Sequence, residues 1–331
     1  MIVATLIIII GFIGLIWGAD RFVSGASSIA GNFGVSPLLI GLTIVAFGTS
    51  APEFFSSAVA AYQQKPGLAI GNALGSNLFN IGVALGVAAL ISSLEPPKSL
   101  SRREIPALLL VTLVTGALLV NLYVGFIDAI VLLSITAFLG YKLLRYELSN
   151  ATDRPYPSLK EPNSEMEKIG GGKAIFYLTM GLLILVISAE ALVQAASNVA
   201  LQLGVSEAII GLTIIALGTS LPELAAVVTA VLKGHDNLAI GNIIGSNILN
   251  FLVVLPFPGL LAPGMIEKNL LYRDFLAVLI LTILLSLICY RCIKHKQKIT
   301  RVHGALFLLI YSGWFTFMLL EVGVNVGCNK I

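Results

Sequence analysis

Charge is what this chain most lacks. Asp, Glu, Lys and Arg make up 11% of its 331 residues, and 57% are hydrophobic; an average soluble domain carries about 25% charge. So little charge cannot cover a water-exposed surface, which excludes a soluble enzyme. The net charge of +3 gives no reason to expect nucleic acid. Histidine is nearly absent, and His235, His295 and His303 all fall at loop edges. Ser50 and Ser220, set deep in apolar runs, therefore lack a general base, so an intramembrane serine hydrolase is excluded and no catalytic residue is expected.

Cysteine occurs at Cys289, Cys292 and Cys328 only. The first two have C-x-x-C spacing, but no second pair or histidine cluster accompanies them, so they read as packing thiols near a membrane edge. The first 17 residues are apolar without a basic leader or a small-residue cleavage site. They are expected to remain as a first span. A filter loop or charge ring of the kind that channels share among subunits is missing as well. No cofactor and no obligatory protein partner is expected.

Apolar runs of about 20 residues, long enough to cross a bilayer, fill nearly the whole length. The expected fold is an all-α membrane protein of ten transmembrane helices, at 2–30, 36–62, 68–92, 104–122, 125–146, 173–201, 207–232, 238–262, 273–292 and 303–324. The one long polar segment, 147–172, holds Pro155, Pro157, Pro162 and Gly170–Gly172 and reads as a linker.

A repeat organises the chain. Residues 41–53, GLTIVAFGTSAPE, return as 211–223, GLTIIALGTSLPE, and 68–77, LAIGNALGSN, return as 238–247, LAIGNIIGSN, both at an offset of 170. Asp20 matches Glu190, Arg103 matches Arg273 and Glu104 matches Asp274 at the same offset. Each half, 1–146 and 173–331, is thus one copy of a five-helix unit. Five is odd, so the copies enter the membrane from opposite sides, giving the inverted repeat of secondary transporters. Fifteen basic residues, among them Lys98, Arg145, Lys168, Lys233 and Arg301, fall on one side of this arrangement. Lys65, Lys268, Arg273 and Lys330 fall on the other, with Arg21 inside the first span. That bias puts the linker in the cytoplasm and both termini outside.

Each copy of the longer motif has a proline near its end. Pro52 offers no N–H to the carbonyl of Gly48 and its ring clashes there, so helix 2 is expected to break around Gly48–Ser50, and helix 7 likewise before Pro222. Broken backbone at membrane depth is tolerated where it lines a polar cavity or binds an ion. Glu53 and Glu223 follow the breaks. Ser76 and Asn80 lie one turn apart on the next span, as do Ser246 and Asn250. Gly71 and Gly75, like Gly241 and Gly245, form G-x-x-x-G and would let that span approach the broken helix. Two carboxylates, hydroxyls, amides and free carbonyls, with no thiol or imidazole, suit a hard cation such as Ca²⁺ or Na⁺. Two facing acids cannot both stay charged without a cation or protons, which is a physical basis for exchange. Asp20 and Glu190 read as structural or gating partners, Asp20 pairing with Arg21 or meeting water.

GTSAPE with GNALGSNLFN, and GTSLPE with GNIIGSNILN, resemble the paired α-repeats of the sodium/calcium exchanger family, within the calcium/cation antiporter superfamily, and in particular its small prokaryotic members. The resemblance implies four central cation sites in a diamond. By that match Glu53 and Glu223 bind Ca²⁺ and also serve Na⁺, and carbonyls at Thr49 and Thr219 complete the Ca²⁺ shell. Ala46, Ser50, Ser76, Ala216, Ser220 and Ser246 line the flanking Na⁺ sites, and Asn80 and Asn250 sit at the centre. It also implies alternating access, the first and sixth spans sliding against the other eight. With no organellar targeting sequence or large regulatory insert in view, a prokaryotic inner membrane is the expected location. Some members, notably potassium-dependent ones, carry Asp at the position of Asn250. Two central asparagines leave one carboxylate fewer, which puts potassium binding in doubt and keeps Ca²⁺/H⁺ exchange open beside Ca²⁺/Na⁺ exchange.

Overall fold

Helix follows the apolar runs almost end to end. The computed structural model describes residues 2–150, 169–203, 214 and 216–328. Most of the expected linker, its three prolines, and 207–213 at the start of the seventh expected span lie outside the described residues. The helices are α1 (Ile2–Phe33), α2 (Pro37–Thr49), α3 (Ala51–Tyr62), α4 (Pro66–Ile91), α5 (Glu104–Leu119), α6 (Phe126–Asn150), α7 (Gly171–Gln202), α8 (Ala216–Gly218), α9 (Leu221–Leu232), α10 (Asp236–Leu261), α11 (Leu270–His295) and α12 (Arg301–Cys328). Two short strands, β1 (Tyr123–Val124) and β2 (Gly264–Met265), pair antiparallel.

Nine of the ten expected stretches coincide with helices to within a few residues, and the seventh is described as helix only from Ala216 on; yet among the described residues length and composition alone qualify only six as membrane crossings: α1, α4, α7, α10, α11 and α12. A seventh is added if α2 and α3, bent by 47° at their junction, form one span. Four of the expected stretches, those of α2–α3, α5, α6 and α8–α9, fall short of that measure among the described residues. The break divides α2 from α3, the twelve-residue α9 follows the second break, and α5 has only 16 residues.

Local signals account for the boundaries. Ser36 caps α2, its hydroxyl accepting the Leu39 N–H at 3.2 Å, with Pro37 in the first turn. After α3 the chain turns at Gln64 with φ 60°, and after α9 at Gly234 with φ 75°. These are repeat-related positions, and both sit in the left-handed region that glycine adopts freely. A π-helical turn begins at Asn80 in α4 and another at Asn250 in α10. Such bulges concentrate at functional positions.

The two halves are laced together. Loop residue Leu94 of the first half exchanges backbone hydrogen bonds with Ile299 of the second, at 2.9 and 2.8 Å, and β1 of the first half pairs with β2 of the second. α4 and α10 form the buried centre. α10 lies against α2, where a Cβ on Gly241 would meet the Leu38 carbonyl at 2.5 Å, the close approach expected of its G-x-x-x-G. For Gly71 the nearest described atom to such a Cβ is Leu270 Cδ2 at 3.6 Å, and Gly75 has none within 4 Å. The repeat-related partner stretch of those two glycines, 208–212, is outside the described residues.

α1 and α7 pack mainly on each other. At Gly18 the contact is backbone to backbone, since a Cβ at that position would fall 2.7 Å from Leu185 N and 3.0 Å from Gly181 O. α1 is tied to the rest by Asp20, whose Oδ1 lies 2.7 Å from Lys233 Nζ at the end of α9, while Ser24 Oγ accepts from the same ammonium at 2.6 Å. Arg21 stands farther off, at 3.9 Å from Asp20, and instead covers the rings of Trp17 and Tyr177. Glu190, the repeat mate of Asp20, is exposed and accepts from Gln194 of its own helix.

Candidate functional site

The two helix breaks meet in the middle of the molecule. Ser50 N–H still reaches Ala46 O (3.0 Å) and Phe54 N–H reaches Ser50 O (3.1 Å). Between them Pro52 has no N–H to give the Gly48 carbonyl. Leu224 N–H bonds Ser220 O in the same way across the second break. Ser50 and Ser220 sit at φ −80° and −92°, with ψ near zero, a sparsely populated region common in active sites. Glu53 and Glu223 follow in the first turns of α3 and α9, where the positive end of the helix dipole favours a carboxylate.

The pairing across the breaks is crossed. Ser50 Oγ donates to Glu223 Oε1 at 2.9 Å, and Ser220 Oγ donates to Glu53 Oε1 at 2.7 Å. Ser50 precedes Glu53 by three residues, but its hydroxyl bonds the acid of the other half. α4 and α10 close the site from the two sides. Ser76 Oγ donates to Glu53 Oε1 at 3.2 Å and lies 3.2 Å from Ser220 Oγ; Ser246 Oγ lies 3.0 Å from Ser50 Oγ. Thr49 Oγ1 is 3.1 Å from Val45 O and 3.2 Å from Asn242 Oδ1. Thr219 occupies the matching turn, half-buried. Ala46 is fully buried, its carbonyl already bonded to Ser50 N–H, and Ala216 opens α8.

Beside the acids four amides cross in the same manner. Asn80 Nδ2 donates to Asn247 Oδ1 at 3.1 Å and Asn250 Nδ2 to Asn77 Oδ1 at 3.0 Å, while Asn77 Nδ2 reaches the Asn247 carbonyl at 3.3 Å. Sequence reasoning missed Asn77 and Asn247 as candidates, along with Asn72 and Asn242. A signal was there, because all four lie at matching positions of the LAIGN-x-x-GSN repeat.

These contacts leave a set of oxygens over. Glu53 Oε2, Glu223 Oε2, Asn80 Oδ1 and Asn250 Oδ1 are each buried and have no hydrogen-bond partner among the described residues. Buried acceptors are ordinarily paired, and four orphan oxygens from four repeat-related residues mark a place that offers oxygen to a ligand, with the amide nitrogens of Asn242 and Asn247 also unbonded beside it among the described residues. Neither Glu53 nor Glu223 forms an ion pair among the described residues. No group of three or more His, Cys, Asp or Glu converges among the described residues, so hydroxyl and amide oxygens make up the rest of the donor set.

The profile of the family described as "Sodium/calcium exchanger protein" matches residues 3–144 and 173–320. This chain belongs to the sodium/calcium exchanger family. It is 42% identical to the putative antiporter CaxA of Alkalimonas amylolytica, over 95% of this chain and 98% of that protein. It is 33% identical to the sodium/calcium exchanger MaX1 of Methanosarcina acetivorans, covering 95% and 97% respectively. Among solved structures, the sodium-calcium exchanger NCX_Mj soaked with Na⁺ and Ca²⁺ superposes with a TM-score of 0.79 at 33% identity, covering 94% of this chain and 97% of that one. This exchanger-family chain is accordingly an all-helical, multi-pass membrane protein.

Proposed function

We propose that the chain is a secondary antiporter that exchanges Ca²⁺ for Na⁺ through the pocket between the two breaks. The observation that carries this reading is the set of four orphan oxygens, two of them carboxylate. Ca²⁺ takes six to eight oxygen ligands and no nitrogen or sulfur. Glu53 and Glu223 together bring two negative charges without a basic partner, and one Ca²⁺ or several Na⁺ would compensate them. The empty, doubly charged pocket would resist reorientation, so outward passage of one ion is tied to inward passage of the other. Thr49 and Thr219 carbonyls complete the Ca²⁺ shell. Ala46, Ser50 and Ser246 on one flank, and Ala216, Ser220 and Ser76 on the other, hold Na⁺, with Asn80 and Asn250 between the flanks.

The crossed contacts support an inverted pair of five-helix units, 1–146 and 173–331, making ten spans with broken helices 2 and 7. In this arrangement the linker 147–172 lies in the cytoplasm of a prokaryotic cell and both termini outside. α1 and α7, packed on each other, form the pair that slides to open the pocket to either side.

The deciding experiment is ⁴⁵Ca²⁺ uptake into proteoliposomes, with Na⁺, K⁺ and pH gradients imposed separately. Uptake driven by internal Na⁺ is expected. Uptake that follows the pH gradient and ignores Na⁺ overturns the reading in favour of proton exchange. Asn250→Asp adds a third carboxylate at the centre and is expected to change the Na⁺ or K⁺ dependence of uptake. Unchanged dependence would remove Asn250 from the cation site.

A further inference from the structure

The repeat breaks its own symmetry at one buried position beside the site. In the first half Ser57 is fully buried on α3. Its hydroxyl donates to Ala69 O at 3.2 Å and accepts from Asn72 Nδ2 at 2.9 Å, and the same amide nitrogen donates to the backbone carbonyl of Glu53 at 3.2 Å. Both N–H groups of Asn72 are therefore used, and its side chain is pinned behind the acid. The position related to Ser57 by the offset of 170 is Val227, also fully buried. Valine offers no acceptor.

Asn242, the mate of Asn72, is correspondingly different. It is 1% exposed, and its Nδ2 has no hydrogen-bond partner among the described residues. Its Oδ1 lies 3.2 Å from Thr49 Oγ1 and 3.4 Å from Ser246 Oγ, two groups of the flank that also holds Ser50. A buried amide N–H left unbonded is costly, and nothing at position 227 secures it.

We infer that Val227 makes the two monovalent-cation flanks unequal, by leaving the Asn242 amide, held only through its oxygen by Thr49 and Ser246, free to shift that oxygen onto a cation held by Ser50 and Ser246. Asn72, anchored through its Nδ2 to Ser57 and to the Glu53 carbonyl, lacks that freedom to turn. This inference rests on the antiport reading and adds a specificity-determining position to it. One flank gains an adjustable amide ligand and binds Na⁺ more tightly. The other keeps its geometry fixed, and the Ca²⁺ position between the acids is untouched, because Val227 contributes no ligand.

The test is Val227→Ser, which supplies the hydroxyl that pins Asn72 in the first half. The expected result is a rise of about fivefold in the Na⁺ concentration that half-saturates Na⁺-driven ⁴⁵Ca²⁺ uptake, the size of one lost hydrogen-bond-class contact. Ca²⁺/Ca²⁺ self-exchange measured in the same vesicles stays within about twofold of the parent, below the effect of one such contact. Unchanged Na⁺ dependence overturns the inference, and so does an equal loss of both exchange modes, which would mean general damage. If Val227→Ser does not accumulate in the membrane, Val227→Thr, closer to valine in shape, is measured against the same two outcomes. Failure of the antiport reading looks different: the unaltered protein would itself show no Na⁺-driven uptake.

Discussion

Glu53→Gln and Glu223→Gln should each abolish Ca²⁺ exchange while leaving the protein folded. Each carboxylate has one oxygen bonded by serine hydroxyls and one with no partner. Glutamine keeps the shape and one carbonyl oxygen but removes the charge. It also places either an NH₂ or a neutral oxygen where the orphan atom stands. Losing a group that merely supports a metal ligand costs about 10- to 100-fold, so removing a charged ligand should exceed about 100-fold in transport. Folding is spared because the crossed serine hydroxyls can still donate to an amide oxygen. ⁴⁵Ca²⁺ flux in proteoliposomes, with monodispersity of the purified variant as the folding control, decides the matter. Parent-like flux in either variant would remove the acids from the cation path.

The second large effect concerns the contact between α1 and α7. Gly18→Val puts a side chain where the α7 backbone already is, with Leu185 N at 2.7 Å and Gly181 O at 3.0 Å from the first added carbon. Backbone in the middle of a helix cannot step aside locally, so the helices must separate, at a cost of about 3 kcal/mol. Gly14→Ala is the contrast. Its added carbon meets chiefly the Ser188 hydroxyl, a side chain that can rotate, so the cost stays within about 1 kcal/mol. Thermal unfolding of the two variants in detergent should separate them clearly. Equal melting temperatures would mean that this interface is looser than the geometry indicates.

How far the sequence reveals these features depends on how local each one is. The helix breaks were legible because a proline acts on the carbonyl four residues back, and the bend of 47° between α2 and α3 lies where Pro52 puts it. The convergence of Glu53 and Glu223 was legible through the repeat, which carries long-range information in a single chain. The crossing of Ser50 to Glu223 was not, because helical spacing relates Ser50 only to residues on its own helix. Asp20 was expected to meet Arg21 or water, yet its 2.7 Å partner is Lys233, far away in sequence and invisible to any local pattern. Asn72, Asn77, Asn242 and Asn247 were overlooked although they repeat faithfully, since an asparagine in a glycine-rich span also fits helix packing. Length and composition qualify six or seven crossings among the described residues against the ten expected, and the broken stretch enters that count only if its two fragments are taken as one.

Four of the polar links at the centre run between the halves: Ser50 with Glu223, Ser220 with Glu53, Asn80 with Asn247, Asn250 with Asn77. One unit by itself therefore owns a carboxylate but not the crossing hydroxyl that orients it. Cutting the chain between the units and supplying both fragments to one membrane should restore transport, whereas either fragment expressed singly would carry an acid with no counterpart to face.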